Sequence, residues 1–188
     1  MIRRMTAAAT LAGVAALAGC GIPTEETPRV LEPSAGSLRS TPAAPSAVSG
    51  PLVEGLCLVK EGKLVRVERR VTSTPSIEAQ LGHLLAGPTQ EESDAGMTSA
   101  LGGTNVIAAV RLNGAHAVVD VTDRLERASR SDEVLAYGQI VCTLLTRSDV
   151  TTVSFTQQGQ RLGIPRADGL LSEDPLTMAD YDTLIATP

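Results

Sequence analysis

The sequence predicts an α+β domain in which a mixed or antiparallel sheet, built from hairpins, carries helices on one face. Strand-like and helix-like segments alternate in the order hairpin, helices, hairpin, helix, hairpin. Hydrophobic residues make up 43% of the chain and aromatic residues only 2%, so Leu, Val, Ile and Ala are expected to form the core. Residues 52–188 are enough for one domain but not comfortably enough for two.

The first 19 residues have the pattern of an export signal peptide. Arg3 and Arg4 form a basic start, and residues 6–18 form an apolar run too short to cross a bilayer. The sequence Leu-Ala-Gly-Cys at 17–20 resembles the lipobox of bacterial lipoproteins, whose cysteine receives a diacylglyceryl group when the leader is cleaved. The resemblance implies lipid attachment at Cys20 and a stable anchor on the extracytoplasmic face of the cell membrane. The alternative is an ordinary leader that ends near a cysteine.

Residues 20–51 predict a lipidated Pro/Ser-rich tether between the membrane and the domain. They hold six of the eleven prolines and show no helix or strand periodicity. The alternative is a proline-rich coil packed on the domain. The formal net charge of −5 gives the folded part no attraction to an anionic lipid surface. This charge and the scarcity of aromatic residues argue against nucleic-acid binding.

The first strand pair and the two helices after it are predicted from turn and cap signals. A Glu-Gly dipeptide separates apolar runs at 56–59 and 64–67, which predicts a hairpin. Thr74 is the predicted N-cap of the first helix. Residues 89–92 form a capping box for a second helix, which is predicted to end near Gly102. The apolar face of the first helix comprises four residues: Ile77, Leu81, Leu84 and Leu85.

Residues 106–112 and 115–121 predict a second hairpin with an Asn-Gly turn between them. This turn places Leu112 opposite Ala115, and the same register places Val106 opposite Val121. One face is apolar and is expected to meet helices. The other face is mixed and more hydrated: Ile107, Ala109, Arg111, His116, Val118 and Asp120.

The last third of the chain predicts a helix, a hairpin and a closing turn. Residues 129–145 have helical periodicity. Residues 150–157 and 161–164 flank a Gln-Gly dipeptide and predict a third hairpin. Residues 176–181 are expected to form a short helical turn.

Six phrases in fixed order carry a resemblance to a known family. They are LVRVERRV at 64–71, LLAGPT at 84–89, AVVDV at 117–121, QIVCTL at 139–144, VSF at 153–155 and PRADG at 165–169. With the lipobox and tether before them, they resemble the GerMN domain, as found in LpqB-like lipoproteins. The resemblance covers most of residues 52–181. It implies an extracytoplasmic, non-enzymatic domain. We therefore expect a lipid-anchored binding or adaptor module in the cell envelope, with an unidentified envelope protein as partner. The mixed sheet face and exposed strand edges are the candidate surfaces for strand addition.

The titratable residues do not predict a catalytic or metal site. His116 and Asp120 share a strand face about 13 Å apart, so His116 is expected to face Arg111 instead. Asp120 and Asp123 are interpreted as turn and cap residues, and His83 as a surface or partly buried helix residue. We therefore expect no enzyme activity, metal or cofactor. The alternatives are an envelope hydrolase acting on peptidoglycan or peptide, and a carrier of a small lipid or other ligand.

Cys57 and Cys142 form an even pair beyond the anchor cysteine. In an oxidising compartment such a pair suggests a disulfide. Closing so long a loop stabilises a fold by about 4–5 kcal/mol in the chain-entropy account. The alternative is two buried free thiols within a Leu/Val core.

Overall fold

The computed structural model describes residues 50–122 and 130–186. The predicted leader, Cys20, almost all of the predicted tether and Asp123 therefore lie outside the described residues. The secondary structure elements follow one another along the chain as β1 (Leu52–Lys60), β2 (Lys63–Val71), α1 (Ile77–Leu85), α2 (Gln90–Asp94), β3 (Ile107–Asn113), β4 (His116–Val121), α3 (Arg130–Leu144), β5 (Thr152–Gln157), β6 (Gln160–Arg161), β7 (Ile164–Pro165), β8 (Leu171–Ser172) and a 3₁₀ helix (Met178–Leu184).

The strands form three sheets within the described residues, which confirms the predicted α+β class. β1 and β2 are an antiparallel pair, and so are β7 and β8. The four-stranded sheet has the order β3-β4-β5-β6, in which β4 and β5 run parallel because α3 connects them. The sequence analysis predicted hairpins and did not predict this parallel pair.

Two of the predicted turns are confirmed with their chemistry. Glu61 and Gly62 both adopt positive φ angles, 52° and 73°, as a type I′ turn between strands requires. Gln158 and Gly159 do the same at 51° and 78° between β5 and β6. The first hairpin is longer than predicted, since nine residue pairs join β1 to β2.

Both early helices have different ends from those predicted. The N-cap of α1 is Ser76, not Thr74, because the Ser76 hydroxyl accepts a hydrogen bond from the backbone N–H of Ala79 at 3.2 Å. The capping box of α2 is confirmed. However, α2 ends at Asp94, far before Gly102, because Gly96 takes a left-handed φ of 82° that closes the helix.

The register predicted for the second hairpin is wrong. The turn occupies Gly114 and Ala115, with a positive φ of 62° at the glycine, so Asn113 pairs with His116. Arg111 consequently lies opposite Val118 instead of His116. A bulge between Ile107 and Ala109 shifts the far end, where the partner of Val121 is Ile107 and not Val106.

Helix α3 is the central element of the core. It contacts β1, β2, α1 and β5, and its residues from 136 to 144 are all buried. Tyr137 packs edge-on against Phe155, with ring centroids 5.1 Å apart. Tyr181 is also buried and donates a hydrogen bond to the Pro165 carbonyl at 3.0 Å. The few aromatic residues thus lie in the core, not on a binding surface. Across the two described ranges, none of the helices is long and apolar enough to span a membrane.

Candidate binding surfaces

Other parts of the chain cover the edge of β1 that faces away from β2 between Gly55 and Val59. The backbone of Thr98 pairs with Val59, and side chains bond to Gly55 and Cys57. The Thr143 hydroxyl accepts a hydrogen bond from the Cys57 N–H at 3.0 Å, and the Gln139 side-chain amide donates to the Cys57 carbonyl at 2.9 Å. The Gly55 carbonyl accepts bonds from the Gln80 amide at 2.7 Å and the Thr146 hydroxyl at 3.0 Å. These contacts satisfy backbone groups that burial would otherwise leave without a partner.

The same contacts explain why polar residues lie in the core. Gln139 and Thr143 are 0% exposed and Gln80 is 2% exposed. Each is bonded to the backbone of β1 or to a neighbouring loop, as buried polar groups must be. We therefore assign these three residues a structural role, which the sequence did not reveal.

The opposite edge of the hairpin, on β2, is open. The Leu64 carbonyl accepts a hydrogen bond from the Ala186 N–H at 2.9 Å, so the backbone groups of Leu64 point away from β1. Backbone groups alternate in direction along a strand, so those of Arg66, Glu68 and Arg70 also point outward. Within residues 50–122 and 130–186, these three backbone positions have no hydrogen-bond partner.

A groove of about 560 Å³ runs beside this open edge. One wall is β2, and the other is α2 with the loop that follows it. The α2 wall is fixed by Arg69, whose guanidinium donates to both carboxylate oxygens of Glu92 at 2.9 and 2.6 Å and to the Gly87 carbonyl at 2.8 Å. Charged and apolar side chains line the groove together, among them Arg66, Glu68, Arg70, Glu91, Val67 and Met97.

The Arg69–Glu92 ion pair is strong enough to shift the ionisation of the carboxyl group. Partial burial acts to raise the pKa of Glu92, but hydrogen bonds from the Arg69 guanidinium and the Thr89 backbone N–H outweigh it. The pKa of Glu92 therefore lies below its ordinary value. The α2 wall is held by a charge-assisted, two-point contact that favours one position of the helix.

Parallel pairing of β4 with β5 creates a polar face on the four-stranded sheet. His116 Nδ1 lies 2.8 Å from the Thr152 hydroxyl, and His116 Nε2 lies 2.9 Å from the Ser154 hydroxyl. The Thr156 hydroxyl donates to Asp120 at 2.8 Å. His116 and Asp120 thus bond to different β5 residues and do not form a dyad. The sequence analysis missed the contacts with β5, because they depend on the parallel register.

The His116–Ser154 contact has the spacing of a base and a nucleophile, but other parts of a catalytic site are not found beside it in the described ranges. In a serine hydrolase a carboxylate holds the second imidazole nitrogen and stabilises its positive charge. Here a threonine hydroxyl occupies that place. Both residues lie on consecutive, regularly paired strands and not on a sharp nucleophile turn.

The second histidine, His83, forms a hydrogen-bonding contact with a carboxylate that was not predicted. His83 Nδ1 lies 2.8 and 3.0 Å from the two carboxylate oxygens of Glu54. Glu54 is 3% exposed, whereas the His83 side chain remains 48% exposed. The contact gives a buried carboxylate its partner and ties α1 to β1, so we assign it a structural role.

Cys57 and Cys142 face each other between β1 and α3. Their Cα atoms are 5.8 Å apart, and the structure joins their sulfur atoms in a disulfide. Both residues are buried, at 0% and 5% exposure, so neither is placed to act as a nucleophile. Among the described residues, no three His, Cys, Asp or Glu side chains are grouped so that they could hold a metal ion.

Two solved structures share the fold. The first GerMN domain of the sporulation protein GerM from Bacillus subtilis superposes with a TM-score of 0.54 at 17% identity, covering 68% of this chain and 98% of that domain. The tandem GerMN domains of the same protein give a TM-score of 0.54 at 16% identity, covering 69% of this chain. The match spans about half, 47%, of the tandem chain. No functionally curated protein matches the sequence.

The family match agrees with the fold. The Germane family, described as sporulation and spore germination, matches residues 54–163. This range runs from β1 to the residue before β7 and includes both edges of the first hairpin and the polar sheet face. The resemblance to GerMN domains that the sequence phrases indicated is confirmed. The chain therefore belongs to the Germane family of sporulation and spore germination proteins.

Proposed function

We propose that the protein is a membrane-anchored, extracytoplasmic lipoprotein whose GerMN domain is a non-catalytic adaptor for an envelope protein. An extended segment of that partner adds to the open edge of β2 as a third strand. The contrast between the two edges of the first hairpin carries the proposal. Within the described residues, side chains of α1 and α3 and the backbone of Thr98 bond to β1 between Gly55 and Val59, whereas three outward-facing positions of β2 have N–H and C=O groups without a hydrogen-bond partner.

The side chains beside this edge define the segment that fits. Arg66, Glu68 and Arg70 lie on one face of β2 and alternate in charge. Opposite charges directly across two strands stabilise the pair, and like charges destabilise it. A segment with acidic residues opposite the two arginines and a basic residue opposite Glu68 therefore suits this edge. The strand's other face presents Val67 toward the groove, where an apolar side chain fits.

The lipobox and the tether support the location. A diacylglyceryl group on Cys20 supplies two acyl chains, which is enough for stable membrane attachment. The Pro/Ser-rich segment that follows, about 30 residues long, spans roughly 30 Å as a coil and approaches 90 Å if extended. This arrangement lets the domain reach a partner away from the bilayer surface.

The test is site-specific photo-crosslinking in cells. A photoreactive amino acid replaces Arg70 at the open edge or, as a matched control, the exposed Gln160 on β6. We expect one dominant envelope protein to crosslink from position 70 and not from position 160. The Cys20→Ala variant should reduce the yield from position 70. Equal labelling from both positions, or none from position 70, would contradict the proposal.

A second candidate function, hydrolysis of peptidoglycan or peptide, rests on the His116–Ser154 contact alone. A fluorophosphonate probe tests it directly, because the probe reacts with an activated serine. The adaptor proposal predicts that Ser154→Ala does not reduce the labelling of the protein by the probe. Labelling of the wild type that is lost in both Ser154→Ala and His116→Gln would favour the hydrolase.

A further inference from the structure

Strand β3 is a second open edge. Asn113 and His116 flank a two-residue turn, so they form a hydrogen-bonded pair. From there, non-hydrogen-bonded and hydrogen-bonded pairs alternate along the hairpin. The backbone groups of Val110 and Leu112 therefore point away from β4. Neither has a hydrogen-bond partner within the ranges that the structure describes.

Among the described residues, nothing gives this edge the usual protection against pairing with another chain. Natural edge strands are shielded by several charges, by proline or by a covering element. Five of the seven β3 residues are exposed: Ala108, Ala109, Arg111, Leu112 and Asn113. Arg111 is the only charged one among them.

We propose that β3 pairs antiparallel with β3 of a second copy of the chain. A two-fold axis perpendicular to the sheet then joins two four-stranded sheets into one continuous sheet of eight strands. The interface is isologous, so every contact occurs twice. This inference concerns a different edge from the β2 groove and does not depend on the adaptor role.

Charge complementarity selects the register. Centring the axis on Val110 places Arg111 of the second copy directly opposite Ala109. Ala109 is itself paired with Asp120 on β4. The Cα atoms of Asp120 and of Arg111 in the second copy are then two strand spacings apart, about 10 Å. The two side chains can meet above the small Ala109 methyl group.

Asp120 is suited to this contact. One of its carboxylate oxygens accepts the Thr156 hydroxyl, and within the described residues the other oxygen has no hydrogen-bond partner and can accept a guanidinium. Arg111 and Asp120 lie on the same face of the sheet, so symmetry generates two such ion pairs. Moving the axis to Arg111 would place the two arginines opposite each other, which is unfavourable.

Sedimentation velocity of the full chain carrying Cys20→Ala tests the pairing, with a charge-reversal cycle. We expect a dimer, and at least a tenfold weaker dimer for Arg111→Asp or Asp120→Arg alone. The double variant should recover the dimer, because the charges are exchanged. Such recovery cannot come from misfolding. A chain that is monomeric at all concentrations, or a double variant no better than the single ones, would overturn the proposal.

Cysteine crosslinking tests the register in the same background. The Val110→Cys variant, which keeps Arg111 and Asp120, should form a reducible dimer, since the proposed axis brings position 110 opposite position 110 of the second copy. Leu112→Cys alone should stay uncrosslinked, because the same register places position 112 opposite position 108 of the second copy. Efficient crosslinking of that single variant would refute the register centred on Val110.

Discussion

Replacing Gln139 by leucine tests whether side chains close the β1 edge. Gln139 is fully buried, donates to the Cys57 carbonyl at 2.9 Å and accepts from the Ala100 N–H at 2.7 Å. Leucine is similar in size but leaves both backbone groups without a partner. An unsatisfied buried backbone group costs about 1–3 kcal/mol. Water can reach the part-buried Ala100, so we expect the free energy of unfolding to fall by roughly 2–4 kcal/mol.

Urea unfolding followed by circular dichroism, with the disulfide intact, measures this loss. Thr143→Val removes one acceptor and leaves only the Cys57 N–H without a partner. The free energy of unfolding should therefore fall by less, about 1–3 kcal/mol. Gln160→Leu is the matched control, because Gln160 is exposed on β6 and should change stability by less than about 0.5 kcal/mol. If Gln139→Leu were as neutral as Gln160→Leu, the edge would not be closed in this way.

Three further predictions concern the cysteines, the buried carboxylate and the response to acid. Mass analysis should find Cys57 and Cys142 alkylated only after reduction, and reduction should cost about 4–5 kcal/mol of stability in the chain-entropy account; alkylation of both without reductant would refute the disulfide. In chemical denaturation, His83→Ala should lower the free energy of unfolding by roughly 1–3 kcal/mol, because it leaves the buried Glu54 without its partner. Adding Glu54→Met should recover part of this loss, and a loss that the second substitution leaves unchanged would argue against the pair. The pKa of Glu92 is lowered in the folded protein, so its ion pair with Arg69 stabilises the fold at pH values above the ordinary glutamate pKa of 4.5. This contribution is lost as the pH falls through the folded-state pKa of Glu92. Glu92→Gln should therefore flatten the acid side of a curve of unfolding free energy against pH, and an unchanged acid side would contradict this.

The sequence allowed prediction of features that depend on neighbouring residues. The structure contains the predicted Glu61-Gly62 turn, the Gln158-Gly159 turn and the capping box at 89–92. Each of these features is stabilised by contacts between residues that are close together in the sequence. The register of the second hairpin was wrong for a specific reason. A shift of two residues keeps every side chain on the same face, so the alternation of apolar residues could not decide between an Asn113-Gly114 and a Gly114-Ala115 turn.

The candidate surfaces were harder to predict because they depend on distant pairings. Apolar periodicity marked α3, but it could not show that Gln139 and Thr143 would bond to β1, more than 80 positions away in the chain. The contact of His116 with Ser154 requires the parallel pairing of β4 and β5. The open edge of β2 follows only from knowing which elements cover β1.

The most direct test of the adaptor account is a proline at position 68. The Glu68 N–H points away from β1, so Glu68→Pro removes a donor that an added strand needs while the β1–β2 ladder stays intact. Glu68→Ala removes the same charge but keeps the N–H. Crosslinking from position 70 should fall at least tenfold in the proline variant and persist in the alanine variant, with both variants folded by circular dichroism. Equal crosslinking in the two variants would contradict strand addition at β2.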